Sequence, residues 1–437
     1  MCRLAHLLTA VATVVTLAPD VSAAPADFSV MTAANTVASR SDRRPVAGGV
    51  YDPRTDQTYI SWSGKDADAY VQAYDHRTGT WTAPKRIAAG EADSHNYPTM
   101  LQADDGHVLL IRGMHNTRTV ISRAPQAHSL DGDWSTYEVA AGNAASYPMP
   151  FRTKDGSLFV FYRETTHDID KKVPTDTRPM KYIVSRDNGL TWKNSGELTG
   201  QPFVIGSTAR ADNMNEIYIG QLRQDPLTGL VHIAYTLAGG GPTQHVHDFY
   251  HRNMYYVLFN PATLRFSSAA GRDLGTQVDD VDQETYLKIA ETPLEKPGDQ
   301  KSPDYIQQVN STFGRPFVLW FTYDNNAVTH NKVSRWTGTG WETTELATGL
   351  RTREIEQVNS VTWRVYATRD AKPNIETYLL TFARDWRPES VIPTAKPVQR
   401  VELIGGFHDP ARILASGAST AREVAVADGD IYVAGHR

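Results

Sequence analysis

Residues 95–113 read HNYPTMLQADDGHVLLIRG, and residues 145–163 read ASYPMPFRTKDGSLFVFYR. Tyr97-Pro98 maps onto Tyr147-Pro148 and Asp105-Gly106 onto Asp155-Gly156, at one offset of 50 residues with no gap. An apolar strand follows each Asp-Gly, a dipeptide that turns a hairpin because it tolerates positive φ. A period of roughly 40–50 residues with four strands per unit is the signature of propeller blades. Dividing the mature length by roughly that period, with allowance for insertions, predicts an all-β, seven-bladed β-propeller.

The rest of the chain agrees. Strand-like runs recur at Gln57–Ser61, Val108–Ile111, Leu158–Tyr162, Val231–Tyr235, Phe317–Thr322, Ser360–Tyr366 and Ile431–Ala434. Turns are expected at Asn188-Gly189 and Asp428-Gly429 as well. Ser185-Arg186-Asp187-Asn188-Gly189-Leu190-Thr191-Trp192 matches S-x-D-x-G-x-T-W, the Asp-box. In that hairpin Asp and Gly shape the turn and Trp packs beneath it. It resembles the repeats of sialidases and related propellers. It is a structural motif and names no reaction. Weaker relatives stand at Thr78-Gly79-Thr80-Trp81 and Thr337-Gly338-Thr339-Gly340-Trp341.

A net charge of −5 with 21% charged residues shows no basic stripe, so neither nucleic acid nor membrane is expected as a partner. Aromatics at 10% suit both strands and sugar-binding surfaces. Residues 1–26 read as a secretory signal: Arg3, an apolar run from Leu7 to Leu17, then small residues with cleavage after Ala23 or Ala26. The run is too short to span a bilayer alone. The single cysteine, Cys2, lies inside this segment and before the apolar run, which argues against a lipobox. The expectation is a secreted, cysteine-free, monomeric propeller over residues 27–437, without disulfide or thiolate metal site.

Four residues in the second and third units are candidates for chemistry. His95 precedes Tyr97-Pro98, and His115 follows the next strand. Tyr147 is the counterpart of Tyr97, and Arg163 ends the strand after Asp155-Gly156. Corresponding points on adjacent blades converge near the axis, so the four can share one face. They suit β-elimination from a uronate glycoside. Arg neutralises the carboxylate so that an enolate-like intermediate is tolerable. Neutral His removes the C5 proton, and a Tyr hydroxyl protonates the departing C4 oxygen. No cofactor is required in that scheme, which leaves room for a structural cation. Each residue also has an ordinary role: a His can hydrogen-bond its loop, a strand-end Arg can pair with an acid, and Tyr147-Pro148 can be a packing repeat.

The segment Ser94-His95-Asn96-Tyr97-Pro98, with Gly113-Met114-His115-Asn116, Ser146-Tyr147-Pro148 and Phe161-Tyr162-Arg163, resembles the BNR-repeat polysaccharide lyases. These include ulvan lyases and L-rhamnosyl-α-1,4-D-glucuronate lyases. The likeness runs through the Asp-box to Tyr218-Ile219-Gly220 and Asn253-Met254-Tyr255-Tyr256; beyond about residue 270 only propeller texture is left. The resemblance implies a seven-bladed propeller that cleaves rhamnose–glucuronate linkages in an acidic polysaccharide or oligosaccharide. It implies His95 as leading base, Tyr147 as leading acid, Arg163 on the uronate carboxylate and His115 sharing or positioning the base, with the assignment between His95 and Tyr147 open. Tyr218, Arg210 and Arg223 are further candidate substrate contacts. A cysteine-containing structural metal site of some members does not carry over.

His245, His247 and His251 form a weaker metal candidate, because His-x-His on a strand puts both rings on one face. A loop near the pocket is the competing reading. His408-Asp409-Pro410 reads as a turn. Two other functions are open from the residues. A sialidase-like hydrolase would need an arginine triad drawn from Arg43 or Arg44, Arg163, Arg210 and Arg223, and its Tyr–Glu pair has no place here. A non-catalytic glycan-binding propeller would need none of the four.

Overall fold

The computed structural model describes residues 27–38, 48–91, 93–112, 114–139, 144–166, 177–206, 210–240, 250–292, 305–312, 314–324, 326–421 and 423–437. Residues 1–26, Arg43, Arg44, His245 and His247 lie outside these. The described fold is all-β, with three short helical stretches at Lys65–Ala67, Ser195–Thr199 and Asp280–Leu287. All seven runs read as strands fall on strands, Ser360–Tyr366 two residues late as Thr362–Thr368.

Hydrogen bonding groups the described strands into six sheets. The largest, of nine strands, is two antiparallel arrays joined by a single parallel bridge, Val50 to Gly405. Divided there, the described strands form seven up-and-down arrays. The first strands of successive arrays are Gly49–Asp52, Thr99–Gln102, Ala145–Arg152, Glu216–Gln224, Tyr305–Thr312, Arg351–Gln357 and Val398–His408. Neighbouring first strands pack together and the last meets the first, while the third and fourth arrays join through a shared core and the Arg178–Glu216 bridge. The N-terminal strand Phe28–Val37 pairs antiparallel with Gly429–His436 and completes the last array.

The second strand of the third array, Leu158–Glu164, shows why these sequences are apolar almost without interruption. Successive side chains point to opposite faces. Leu158, Val160 and Tyr162 join a core with Leu109, Ile111 and Ile121 of the second array. Phe159 and Phe161 join another with Ile217, Ile233, Tyr235 and Phe259 of the fourth. Each array is covered on both sides, so both faces must be hydrophobic. A fully buried Leu or Phe there contributes about 1.5–3 kcal/mol.

The Ser185–Trp192 turn closes the same way. Asp187 accepts from the Thr191 N–H at 2.8 Å and the Thr191 hydroxyl at 2.5 Å, while the Gly189 N–H donates to Ser185 at 2.8 Å. Gly189 has φ +83°, and a Cβ there would meet Leu109 of the second array at 2.3 Å, so only glycine lets the two arrays approach. Trp192 packs on the core between them.

Candidate active site

The turn before the second array's first strand is built on Asp93. Its Oδ1 accepts from the His95 backbone N–H at 2.8 Å and faces His95 Nδ1 at 2.5 Å. Its Oδ2 faces Nδ1 of His115. The two imidazoles stack, with centroids 3.9 Å apart and planes 18° from parallel. Burial works against the charge on Asp93, but the His95 N–H groups and His115 outweigh it and hold the carboxyl at about 2. An ionised carboxylate only accepts, so both neutral rings carry their proton on Nδ1 and present an Nε2 lone pair.

His115 reaches this point through an exchange between arrays. Its short strand, His115–Thr117, hydrogen-bonds to Ala145–Arg152 of the third array, with His115 opposite Ser146. Asn116 fastens it: its N–H donates to the Ser146 hydroxyl at 3.0 Å, and its Oδ1 accepts from Thr165 at 2.6 Å.

Tyr147 adopts φ +61°, a left-handed conformation that costs a bulky residue on the order of 1–3 kcal/mol. The strand register shifts between Ser146 and Met149, so Tyr147-Pro148 is a bulge. The bulge aims the ring at the histidines, 6.0 Å from His95 between centroids. Arg163, opposite Ser146 on the neighbouring strand, puts its guanidinium carbon 4.7 Å from the Tyr147 ring centre and 4.4 Å from that of Tyr218. Tyr218 in turn lies 6.1 Å from Tyr147 and 4.9 Å from the His251 ring. Three successive arrays thus supply one continuous row: Asp93 and His95; then His115, Tyr147 and Arg163; then Tyr218 and His251.

Arg163 is only 1% exposed, so the bidentate fork expected from sequence has no open edge at the surface. Glu216, fully buried, stands 3.9 Å from Arg163 and 3.7 Å from Arg178. Arg163 Nε and Nη1 are buried without a hydrogen-bond acceptor. Burial opposes the guanidinium charge, but Tyr218, Tyr147 and Glu216 outweigh it and hold Arg163 above its ordinary range. Buried donors without partners cost about 1–3 kcal/mol each, a cost recovered when negative charge develops beside them.

The remaining sequence candidates have these partners. Arg210 forms a two-pronged pair with Asp212 at 2.9 Å and meets Glu284 at 3.0 Å; no described contact links it to the histidines. Arg223 sits five residues beyond Tyr218 on one strand, roughly 16 Å along it. There it pairs with Glu354 of the sixth array at 2.5 Å. His251 is buried in the strand Tyr250–Asn260 rather than on a loop. Asp93, Arg178 and Glu216 were not singled out from sequence. Asp93 had a local signal, an Asp-x-His spacing that forms an Asx turn. Glu216 and Arg178 had none, because they meet through an isolated bridge and an ion pair between arrays.

The row offers two imidazole lone pairs, two phenols and a buried cation. One donor atom each of Asp93, His95 and His115 lies within 4.8 Å of the others, so this trio is also of metal-ligating type.

The chain resembles known proteins in both sequence and fold. A family model described as a BNR repeat-containing family member matches residues 57–348. The PL25 ulvan lyase of Pseudoalteromonas sp. (strain PLSV) is 23% identical over 250 residues, covering 50% of this chain and 47% of that protein. The ulvan lyase of Alteromonas sp. (strain LOR) is 24% identical over 246 residues, covering 51% and 48%. The chain therefore spans about half the length of the curated relatives it matches. Among solved structures, a PL25 ulvan lyase bound to -[GlcA(1-4)Rha3S]- superposes with a TM-score of 0.73 at 16% identity, over 94% of each chain. The polysaccharide lyase Uly1 superposes at 0.65 with 11% identity, over 94% of this chain and 99% of that one. Both share this chain's fold.

Proposed function

The chain belongs to the BNR repeat-containing family, and from that premise we propose that it is a secreted, seven-bladed β-propeller lyase that cleaves a rhamnose–glucuronate polysaccharide by β-elimination. Residues 1–26 are removed as a signal and residues 27–437 act as one domain. The seven arrays in sequential contact support the blade number. The match to ulvan lyases supports the acidic polysaccharide substrate.

The observation that carries the reaction is the row itself: imidazoles fixed by a carboxylate, adjoining a phenol that stacks on a buried guanidinium. His95, its Nδ1 proton held by Asp93, offers Nε2 to the C5 proton of the glucuronate. The C5–H pair becomes the C4–C5 double bond as the C4–O bond breaks. Tyr147 donates its phenolic proton to the departing oxygen, leaving a phenolate beside Arg163. At about 5 Å and an effective dielectric of about 20, a unit charge pair is worth about 3 kcal/mol, some 10²-fold in rate. Arg163 therefore acts from behind the tyrosines, on charge that develops in the transition state. His115 shares the carboxylate and keeps the base oriented. Tyr218 carries the same phenol–guanidinium contact toward the next array and lines the sugar site. The reaction needs no cofactor. Detection of an unsaturated uronate end tests this reading, as set out below.

A further inference from the structure

A second set of metal-ligating side chains lies at the seam where the last array meets the first. Asp56 stands in the turn after the strand Gly49–Asp52, with φ +55°. His76 directly follows the strand Ala69–Asp75, and His408 ends the strand Val398–His408. Each offers a donor atom, and the three atoms lie within 4.8 Å of one another. His408 Nδ1 and Asp56 Oδ1 are already 3.4 Å apart. A tetrahedral site with bonds of about 2.05 Å has edges of roughly 3.3 Å. The His76 and His408 rings are 4.8 Å apart, so small side-chain rotations close the set.

The surroundings are those of an oriented site. His76 Nε2 is 2.8 Å from the Thr58 hydroxyl, which fixes that ring. His76 Nδ1 is buried and makes no well-formed hydrogen bond, with the Asp409 backbone beside the ring. Metal-bound imidazoles commonly engage the other ring nitrogen in this way. The Tyr51 hydroxyl donates to Asp56 Oδ1 at 3.0 Å, and the Tyr51 ring packs on both histidines at 5.4 Å and 5.1 Å. His408, with a side chain 53% exposed, leaves the set open to solvent and to a water as fourth ligand.

We propose that Asp56, His76 and His408 bind a divalent cation of borderline softness, zinc foremost, which clamps the last array to the first. Two imidazoles and one carboxylate suit that class. The clamp bears on fold closure, because Val50–Gly405 is the single backbone bridge described between these arrays. The set follows the end of its first strand, whereas Asp93 and His95 precede theirs, so the two trios sit at opposite strand ends. The inference does not depend on the lyase reading.

The experiment uses chelator-stripped full chain, dialysed against zinc, with bound zinc counted by elemental analysis and thermal unfolding followed with and without zinc. An Asp93→Asn/His95→Ala double variant removes the other trio. In that background one zinc should be retained and Tm should rise with zinc. Adding His408→Ala, at an exposed side chain that folding tolerates, should lose that zinc and the Tm rise. Adding Asp56→Asn instead should weaken binding at least tenfold. Equal zinc in the background and its His408→Ala derivative, or no zinc in the background itself, overturns the proposal.

Discussion

The rings of His95 and His115 stack 3.9 Å apart because one carboxylate, that of Asp93, holds Nδ1 of both. Asp93 is thus a positioning residue for the base. Asp93→Asn keeps the shape but offers one acceptor oxygen to two N–H groups, so one ring loses its tautomer and orientation. The expected result is a fall in kcat of about 10–100-fold with KM little changed. Steady-state kinetics on a glucuronate–rhamnose glycan check it; a rise confined to KM would indicate a substrate contact instead.

Removing the proton carriers should cost more. His95→Ala, Tyr147→Phe and Arg163→Ala should each lower kcat/KM by on the order of 10²-fold or more. Arg163→Lys should recover little, because an ammonium cannot reproduce a planar guanidinium stacked on two rings. Wild-type rates in His95→Ala and Tyr147→Phe would remove both from the mechanism, whatever the reaction.

The parts legible in sequence were those encoded locally. Asp105-Gly106 and Asp155-Gly156 turn with φ +85° and +81° at their glycines, which is why a dipeptide revealed the register. That register put Tyr147 where the preceding array has Tyr97, and both rings lie in one buried cluster with Tyr218. The positive φ of Tyr147 was invisible, since it arises from a bulge set by pairing with Leu158–Glu164. The burial of Arg163 was also hidden. It depends on Glu216 and Tyr218, more than fifty residues away on the next array. Arg210 and Arg223 were drawn in by residue type alone, and the structure gives them acidic partners, Asp212 and Glu354, that the sequence did not signal.

Acid should weaken the fold through His232. It is buried in the fourth array with Nδ1 2.7 Å from the Tyr256 hydroxyl. Burial, with Arg223 adding to it and Asp225 opposing, holds it at about 4. The unfolded chain, titrating near 6.5, binds the proton first, so stability is full above about pH 6.5 and falls as pH drops toward 4. The loss is on the order of 3 kcal/mol. Denaturant unfolding across that range should show it, and His232→Gln should flatten the slope. Asp93 acts lower: its contribution is present above about pH 4 and is lost as pH falls through about 2.

Asp187 should matter for stability and not for catalysis. It accepts from two backbone N–H groups and the Thr191 hydroxyl in a turn on the third array's outer strands. Asp187→Ala should cost about 1–3 kcal/mol in chemical denaturation while kcat stays near wild type. A large loss of activity in a folded variant would contradict a purely structural role.

Product chemistry tests elimination most directly. The protein is incubated with glucuronate–rhamnose glycans, sulfated and unsulfated, and the new chain ends are identified by ultraviolet absorbance and mass spectrometry. Elimination predicts a conjugated C4–C5 double bond on the new non-reducing uronate, with product masses that sum to the substrate without added water. Saturated ends carrying the mass of one water per cut would show hydrolysis, and no cleavage of any such glycan would leave a binding protein; either result would contradict the assignment of His95 and Tyr147 to proton transfer in a lyase.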